Sequence, residues 1–273
     1  MTVADEARRQ AQTVAHSTFL EWLTRIGFLG YGVLHLAVAW LALQIVLGHP
    51  AGDEGQSGAF RTVAAQPLGR VVLVVSIIGL LAMAIWQLLL AFIGHRNEQG
   101  WHRPFERAAS AGRTLIYTGL AITAWQVLQG SADTSARQQQ GFTATLLSKP
   151  GGPAIVVFFG LAVAAIGVGM AVYGLRKVFV RRLRTEDMSP RVRRTTVNLG
   201  RFGYLARGFA FAIVGVLVVA AGFTSDPGKS RGLDIALETL ARQPYGVVLL
   251  ALVAAGFAAF GVYCFAQSRY RRI

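Results

Sequence analysis

Gln66-Pro67-Leu68-Gly69, Lys149-Pro150-Gly151-Gly152 and Gln243-Pro244-Tyr245-Gly246 are three occurrences of one short pattern. In each, a glycine follows the proline by two residues, and a long apolar run begins there. Proline disfavours helical geometry at the residue before it, and glycine lets the chain turn, so the pattern is typical of a break between two helices. The predicted structural turns are at Pro67, Gly69, Pro150, Gly152, Pro244 and Gly246.

Six apolar runs flank these patterns, and most reach the roughly 20 residues that span a bilayer. The runs are Ile26–Leu47, Val71–Ile93, Thr114–Leu128, Ala154–Tyr173, Phe209–Phe223 and Tyr245–Phe265. The third and fifth runs are short. They span only if their helices start earlier and carry Arg113 and Arg207 in the first turns, from where a long arginine can snorkel to the headgroups.

The chain is predicted to be an all-α integral membrane protein built from three two-helix repeats. Arg25-Ile26-Gly27 and Gly32 align with Arg201-Phe202-Gly203 and Gly208, and Gly112 takes the place of Gly203 in the second repeat. Two spans per repeat leave all repeats in the same orientation, so an axis along the membrane normal relates them. The expected fold is six transmembrane helices in a pseudo-threefold bundle.

The predicted boundaries follow from these repeats and from the charges between them. The first 25 residues hold Asp5, Glu6 and Glu21 and precede a run too long for a signal peptide, so they are expected to remain. The segments are a cytoplasmic or interfacial N-terminus (1–25), repeat 1 (26–96), repeat 2 (97–177), a basic cytoplasmic linker (178–200), repeat 3 (201–268) and a basic C-terminus (269–273).

Positive charge is distributed unevenly along the chain. Twenty of the 27 Lys and Arg residues lie in the two termini and the second and fourth loops, and seven lie in the other three loops. By the positive-inside rule, both termini are cytoplasmic in an inner-membrane protein, and the Pro-Gly patterns face outward. The net charge of +14 is therefore mainly a topology signal. No basic stretch alternates with aromatic residues on a soluble face, so nucleic acid is not an expected partner.

The densest basic stretch runs from Arg176 to Arg207 and holds ten of the cations. One interpretation is an exaggerated topology signal. The other is docking of anionic lipid or of an acidic partner, since juxtamembrane arginines attract anionic lipid. Val178, Phe179 and Leu183 favour an amphipathic, interfacial continuation of the fourth span. The predicted docking residues are Arg181, Arg182, Arg184, Arg191, Arg193 and Arg194.

Ionisable groups at membrane depth are scarce, which argues against proton-coupled transport. No Asp or Glu lies inside the six runs, and His35 is the exception to their lack of groups that titrate near neutral pH. His35 and Gln44 form a possible intramembrane polar site. The alternatives for His35 are a neutral packed histidine, a proton switch or ligand contact, and a haem ligand, although an intramembrane haem normally uses two histidines.

Other chemistry finds little support in the sequence. Ser76 is the only serine deep in a run, and no nucleophile motif, paired carboxylates or metal-ligand spacing accompanies it. We therefore expect no catalytic residue, cofactor or metal. Gly160 with Ala164, and Ala165 with Gly169, have the small-xxx-small spacing of close helix packing, with a ligand groove as the alternative.

The repeat pattern resembles a known family of membrane proteins. Arg201-Phe202-Gly203-Tyr204-Leu205-Ala206-Arg207-Gly208, followed by the outer amphipathic stretch and Gln243-Pro244-Tyr245-Gly246, is similar to the actinobacterial-type domain of unknown function 1206. The likeness runs from about Trp22 to Arg269. Repeat 1 departs from it, with Phe28 and Tyr31 in place of Tyr204 and Arg207. The resemblance implies a six-span inner-membrane protein and lends no activity or cofactor.

Two functions remain open from the sequence. The first is a non-catalytic scaffold or accessory subunit of a membrane or cell-envelope assembly, in contact with anionic lipid and with other membrane proteins. The second is a passive channel or carrier for a lipidic or small solute along the pseudo-threefold axis. They differ in whether the axis is filled by apolar side chains or opens into a polar cavity.

Overall fold

The computed structural model describes residues 18–48, 56–67, 69–92, 102–131 and 135–272. Within these ranges the chain forms nine α-helices. They are α1 (Thr18–Val46), α2 (Gln56–Ala64), α3 (Gly69–Phe92), α4 (His102–Leu128), α5 (Ser135–Leu147), α6 (Gly152–Leu175), α7 (Pro190–Thr224), α8 (Leu233–Ala241) and α9 (Gly246–Tyr270). Each repeat is therefore a long helix, a short helix and a second long helix. Most of the predicted N-terminal segment lies outside the described residues.

Five of the described helices are long and apolar enough to cross a membrane: α1 from Arg25, then α3, α6, α7 and α9. They make this a multi-pass membrane protein. The fifth predicted span does start earlier than its apolar run, because α7 begins at Pro190. The third predicted span, Thr114–Leu128, is the second half of α4, whose first half carries Glu106, Arg107 and Arg113. A sixth span stays a prediction.

The long helices pack in a regular order. The second long helix of each repeat lies against the first long helix of the next, so that α3 packs on α4, α6 on α7, and α9 on α1. Within repeats 1 and 3, α1 also packs on α3 and α7 on α9. The described residues of α4 and α6 make no such extensive contact, which leaves repeat 2 open between its two long helices.

One apolar core joins most of the chain. It contains Leu34, Val38 and Leu41 of α1, together with residues of α2, α3, α4, α7, α8 and α9. The short helices contribute directly, since Phe60 of α2 and Leu237 of α8 are both 2% exposed. These two residues stand seven positions before their prolines. Helices α2 and α8 thus lie over the core and close one end of it.

Close packing of α6 against α7 depends on glycine. A Cβ added at Gly160 would lie 2.6 Å from the Val219 nitrogen, and one at Gly215 would lie 2.3 Å from the Ala164 nitrogen. The predicted pair Gly160 and Ala164 therefore lies in a helix interface. The second predicted pair does not, because Ala165 is exposed and Gly169 has no other described atom near its Cβ position.

Candidate functional site

The basic linker folds onto the protein rather than continuing α6 along a membrane surface. After α6 ends at Leu175, residues Val178–Arg182 form a short 3-10 helix. Phe179 and Leu183 are each 1% exposed and pack with Tyr263 in a small aromatic core. The prediction of an interfacial amphipathic helix is therefore wrong. These apolar residues pack against the ends of α7 and α9 instead of facing lipid.

Backbone hydrogen bonds join the linker to the C-terminus. The Arg184 amide donates to the Tyr270 carbonyl over 2.7 Å, and the Arg272 amide donates to the Arg182 carbonyl over 3.0 Å. The Arg272 guanidinium also donates to both carboxylate oxygens of Glu186 at 2.9 Å. The pKa of Glu186 is lowered by its own backbone N–H and by Arg272. We call this arrangement the linker clasp.

Three of the six predicted docking residues belong to the clasp region. Arg181 and Arg182 are exposed, and Arg184 is half-buried. The Arg184 guanidinium donates to the Arg269 carbonyl over 3.1 Å and lies 3.6 Å from an Asp187 carboxylate oxygen. The Arg184 side chain thus already makes contacts that stabilise the clasp.

The other three predicted docking residues lie at the start of α7. Ser189 is the N-cap and accepts a hydrogen bond from the Val192 amide, and exposed Arg191, Arg193 and Arg194 follow. Cations near a helix N-terminus oppose the helix dipole, at roughly 0.3–1 kcal/mol each in the first turn. These arginines therefore do not serve helix stability.

His35 and Gln44 do not form a common site. The His35 ring is 6% exposed and hydrogen-bonds through Nδ1 to the Tyr31 carbonyl at 2.8 Å, between the rings of Tyr31 and Phe260. Nine residues of helix separate Gln44 from His35, which is about 13.5 Å along the axis and half a turn away in direction. The arrangement of His35 is that of a packed histidine.

Contrary to the prediction, Arg207 does not lie in the first turn of its helix. It lies at the midpoint of α7, and its guanidinium points inward rather than to the headgroups. It donates to the Tyr31 hydroxyl over 3.0 Å and lies 4.2 Å from the centre of the Phe260 ring. Among the described residues no carboxylate pairs with it, so the aromatic rings supply its electrostatic partners. Tyr31 and Arg207 occupy equivalent positions in repeats 1 and 3. This equivalence was the feature of the sequence from which their contact could have been predicted.

The three Pro-Gly patterns share one backbone geometry. A Cβ added at Gly69, Gly152 or Gly246 would lie 2.0, 1.8 or 2.2 Å from the carbonyl oxygen six residues earlier. Each glycine amide donates to the residue before the proline over 2.8–2.9 Å. Glycine is required here by this close approach. The left-handed turn falls one residue earlier in the second and third patterns, at Gly151 (φ 74°) and Tyr245 (φ 60°).

The family described as Domain of Unknown Function (DUF1206) matches three segments of the chain, residues 26–94, 108–177 and 202–271. The chain belongs to the DUF1206 family. Each matched segment contains one Pro-Gly turn with most of its two long helices, so the resemblance found in the sequence is confirmed. The uncharacterized protein YxxB of Bacillus subtilis (strain 168) is 29% identical over 259 residues, which cover 92% of each chain. No solved structure matches this DUF1206 protein.

Proposed function

We propose that this protein is a non-catalytic subunit of an inner-membrane or cell-envelope assembly. The subunit itself holds anionic lipid at its cytoplasmic face. The observation that carries the proposal is the concentration of cations around the linker clasp. Arg181 and Arg182 of the linker and Arg191, Arg193 and Arg194 at the start of α7 are exposed, and the linker is hydrogen-bonded to the C-terminal segment that carries Arg269 and Arg272. Each cation near an anionic surface adds about 1 kcal/mol of attraction.

The apolar filling of the bundle favours a scaffold over an axial channel. The core at the level of His35 contains the rings of Phe257 and Phe260, and the Phe60 and Leu237 side chains lie over it. A solute on the axis would have to displace tightly packed side chains, which protein interiors resist. The cyclic packing of α3 on α4, α6 on α7 and α9 on α1 supports the proposed pseudo-threefold bundle, with α4 as its sixth span.

Cysteine labelling tests the proposed topology. Single cysteines at Gly55, Gln139 and Lys229 are expected to react with a membrane-impermeant maleimide from outside intact cells. Native Cys264 is buried and gives little background. Gly55 lies outside the described residues, so it tests the sequence prediction alone. Labelling at only one or two of the three positions contradicts the six-span topology.

Replacement of the six linker arginines tests the lipid role. Changing Arg181, Arg182, Arg184, Arg191, Arg193 and Arg194 to Gln should remove most co-purified anionic lipid, as measured by mass spectrometry of protein prepared in mild detergent. The matched control changes six cations of the predicted outer side to Gln: Arg61, Arg70, Arg137, Lys149, Lys229 and Arg242. Equal lipid recovery from both variants contradicts the proposal. High salt should weaken lipid retention in the wild type, since salt screens such contacts over about 8 Å at physiological strength.

A further inference from the structure

A cavity of about 520 Å³ opens beside the linker clasp. It lies between the start of α1, the end of α9 and the linker, so residues from both ends of the chain meet there. Its lining is Trp22, Arg25, Leu29, Arg184, Asp187, Ser268, Arg269 and Tyr270. Of this set only Arg184 was predicted from the sequence as a binding residue, because residues 22–29 and 268–270 are distant in the chain and meet only through the packing of α9 on α1.

Guanidinium groups outnumber carboxylates among the residues that line the cavity. Arg25, Arg184 and Arg269 contribute three guanidinium groups, and Asp187 is the one acidic residue among the lining residues. Asp187 lies 3.6 Å from the Arg184 Nε. The planar guanidinium group matches the geometry of phosphate oxygens and binds them in a bidentate manner. The charge and the residue type therefore select a phosphate-bearing anion.

One wall of the cavity is apolar and points along α1. Trp22 and Leu29 are seven residues apart, so they share a face of the helix, and they are 60% and 43% exposed. Leu29 lies inside the apolar span that begins at Arg25, whereas Trp22 precedes it. Tryptophan and tyrosine are enriched at the headgroup level of a bilayer, which fits Trp22 and Tyr270. A ligand here meets cations at one end and hydrocarbon-facing side chains at the other.

We propose that this cavity binds one anionic phospholipid, with its phosphate among Arg25, Arg184 and Arg269 and an acyl chain along Trp22 and Leu29. The inference rests on the proposed function and names the site at which lipid is held. Free inorganic phosphate shares the headgroup chemistry but has no group for the apolar wall. Lipid is therefore expected to bind more tightly than phosphate.

Native mass spectrometry of the full chain in detergent provides the test. Wild-type protein is titrated with phosphatidylglycerol, phosphatidylcholine and inorganic phosphate. The variant Arg25→Gln/Arg269→Gln removes two cavity cations and spares Arg184, which supports the clasp. Its affinity for phosphatidylglycerol should fall about 30-fold, the factor for two cations near an anionic surface. The comparison variant and matched control, Arg191→Gln/Arg193→Gln, removes two exposed cations of the proposed docking set that lie outside the cavity, so its loss of affinity should be clearly smaller than that of the cavity variant.

A charge-retaining variant separates binding from misfolding. Arg25→Lys/Arg269→Lys should keep phosphatidylglycerol affinity within about fivefold of the wild type. Equal losses in the Gln cavity variant and the control would overturn the cavity site in favour of a diffuse basic surface. Unchanged affinity in the Gln cavity variant, with lipid lost from the six-arginine variant, would overturn the cavity but leave the proposed function standing. Inorganic phosphate binding as tightly as phosphatidylglycerol would overturn a lipid occupant.

Discussion

Repeat 2 differs from repeats 1 and 3 at the contact between its two long helices. In repeat 1, a Cβ at Gly27 would lie 2.7 Å from the Met83 side chain, and in repeat 3 a Cβ at Gly203 would lie 2.7 Å from the Phe260 side chain. The equivalent residues of repeat 2 are Gly112 and Ile166. No described atom comes within 4 Å of a Cβ at Gly112, and Ile166 is 56% exposed.

The difference shows that the Pro-Gly turn does not itself bring two helices together. All three repeats have the same turn geometry, yet only two of them close. Closure follows the side chains, since Met83 and Phe260 are buried against glycine and Ile166 is not. Repeat 2 is held instead by its neighbours, through the glycine-lined contact of α6 with α7.

The largest expected effect is on the turn, where all three repeats should behave alike. Gly69→Val, Gly152→Val and Gly246→Val each place a Cβ about 2 Å from a backbone carbonyl oxygen, which no side-chain movement relieves. Each substitution should lower the free energy of unfolding by about 5 kcal/mol or more, a size reserved for severe disruption. Thermal unfolding in detergent measures the loss.

Gly169→Val is the control for the turn substitutions. Gly169 has open space around its Cβ position among the described residues, so the free energy of unfolding should change by less than about 1 kcal/mol. A neutral result at any of the three turn glycines would show that the close carbonyl approach is absent there. A loss at only two of them would mean that the turns differ as the helix contacts do.

A smaller effect tests the helix contact itself. Gly203→Ala puts a methyl group 2.8 Å from the Phe260 Cα, and overpacking of this kind costs about 1–3 kcal/mol. Gly112→Ala meets open space and should be neutral or stabilise α4, since alanine is the better helix former by about 1 kcal/mol. The difference in unfolding temperature between the two variants shows how much more loosely the two long helices of repeat 2 are packed than those of repeat 3. Equal destabilisation would show that repeat 2 closes like the others.

The sequence predicted the features that recur, because recurrence is visible without coordinates. The Pro-Gly turns, the two-helix repeats and the family follow from Pro67, Pro150 and Pro244 and the glycines beside them. The membrane character followed from composition. The contacts between side chains were harder to predict from the sequence. Arg207 near an apolar run predicts snorkelling by general rules, and only the packing of α7 beside α1 and α9 places it against Tyr31 and Phe260.

The conformation of the linker was predicted wrongly for a similar reason. Phe179 and Leu183 among arginines have the composition of an interfacial helix, but a left-handed Lys177 (φ 54°) ends the helical path and turns them into the protein. The cavity also could not be predicted from the sequence, since Trp22 and Tyr270 lie near opposite ends of the chain. Its lipid role and the six-span topology stay predictions.

The smallest expected effect concerns the ion pair that helps to tie the linker after repeat 2 to the end of repeat 3. Arg272 pairs with Glu186, and Arg184 and Asp187 are the nearby charges. The pKa of Glu186 is lower in the folded protein than in the unfolded chain, so the pair stabilises the fold above the unfolded pKa, and this contribution disappears as pH falls through the folded pKa. Glu186→Gln should therefore lower the unfolding temperature slightly at pH 7, and the difference from the wild type should vanish in strong acid. Asp226→Asn, in another loop, controls for the general effect of removing a carboxylate. A difference that grows as the pH falls would contradict the assigned direction of the pKa shift. A loss at pH 7 comparable to that of Gly203→Ala would show that the clasp supports repeat 3 as strongly as its glycine packing does.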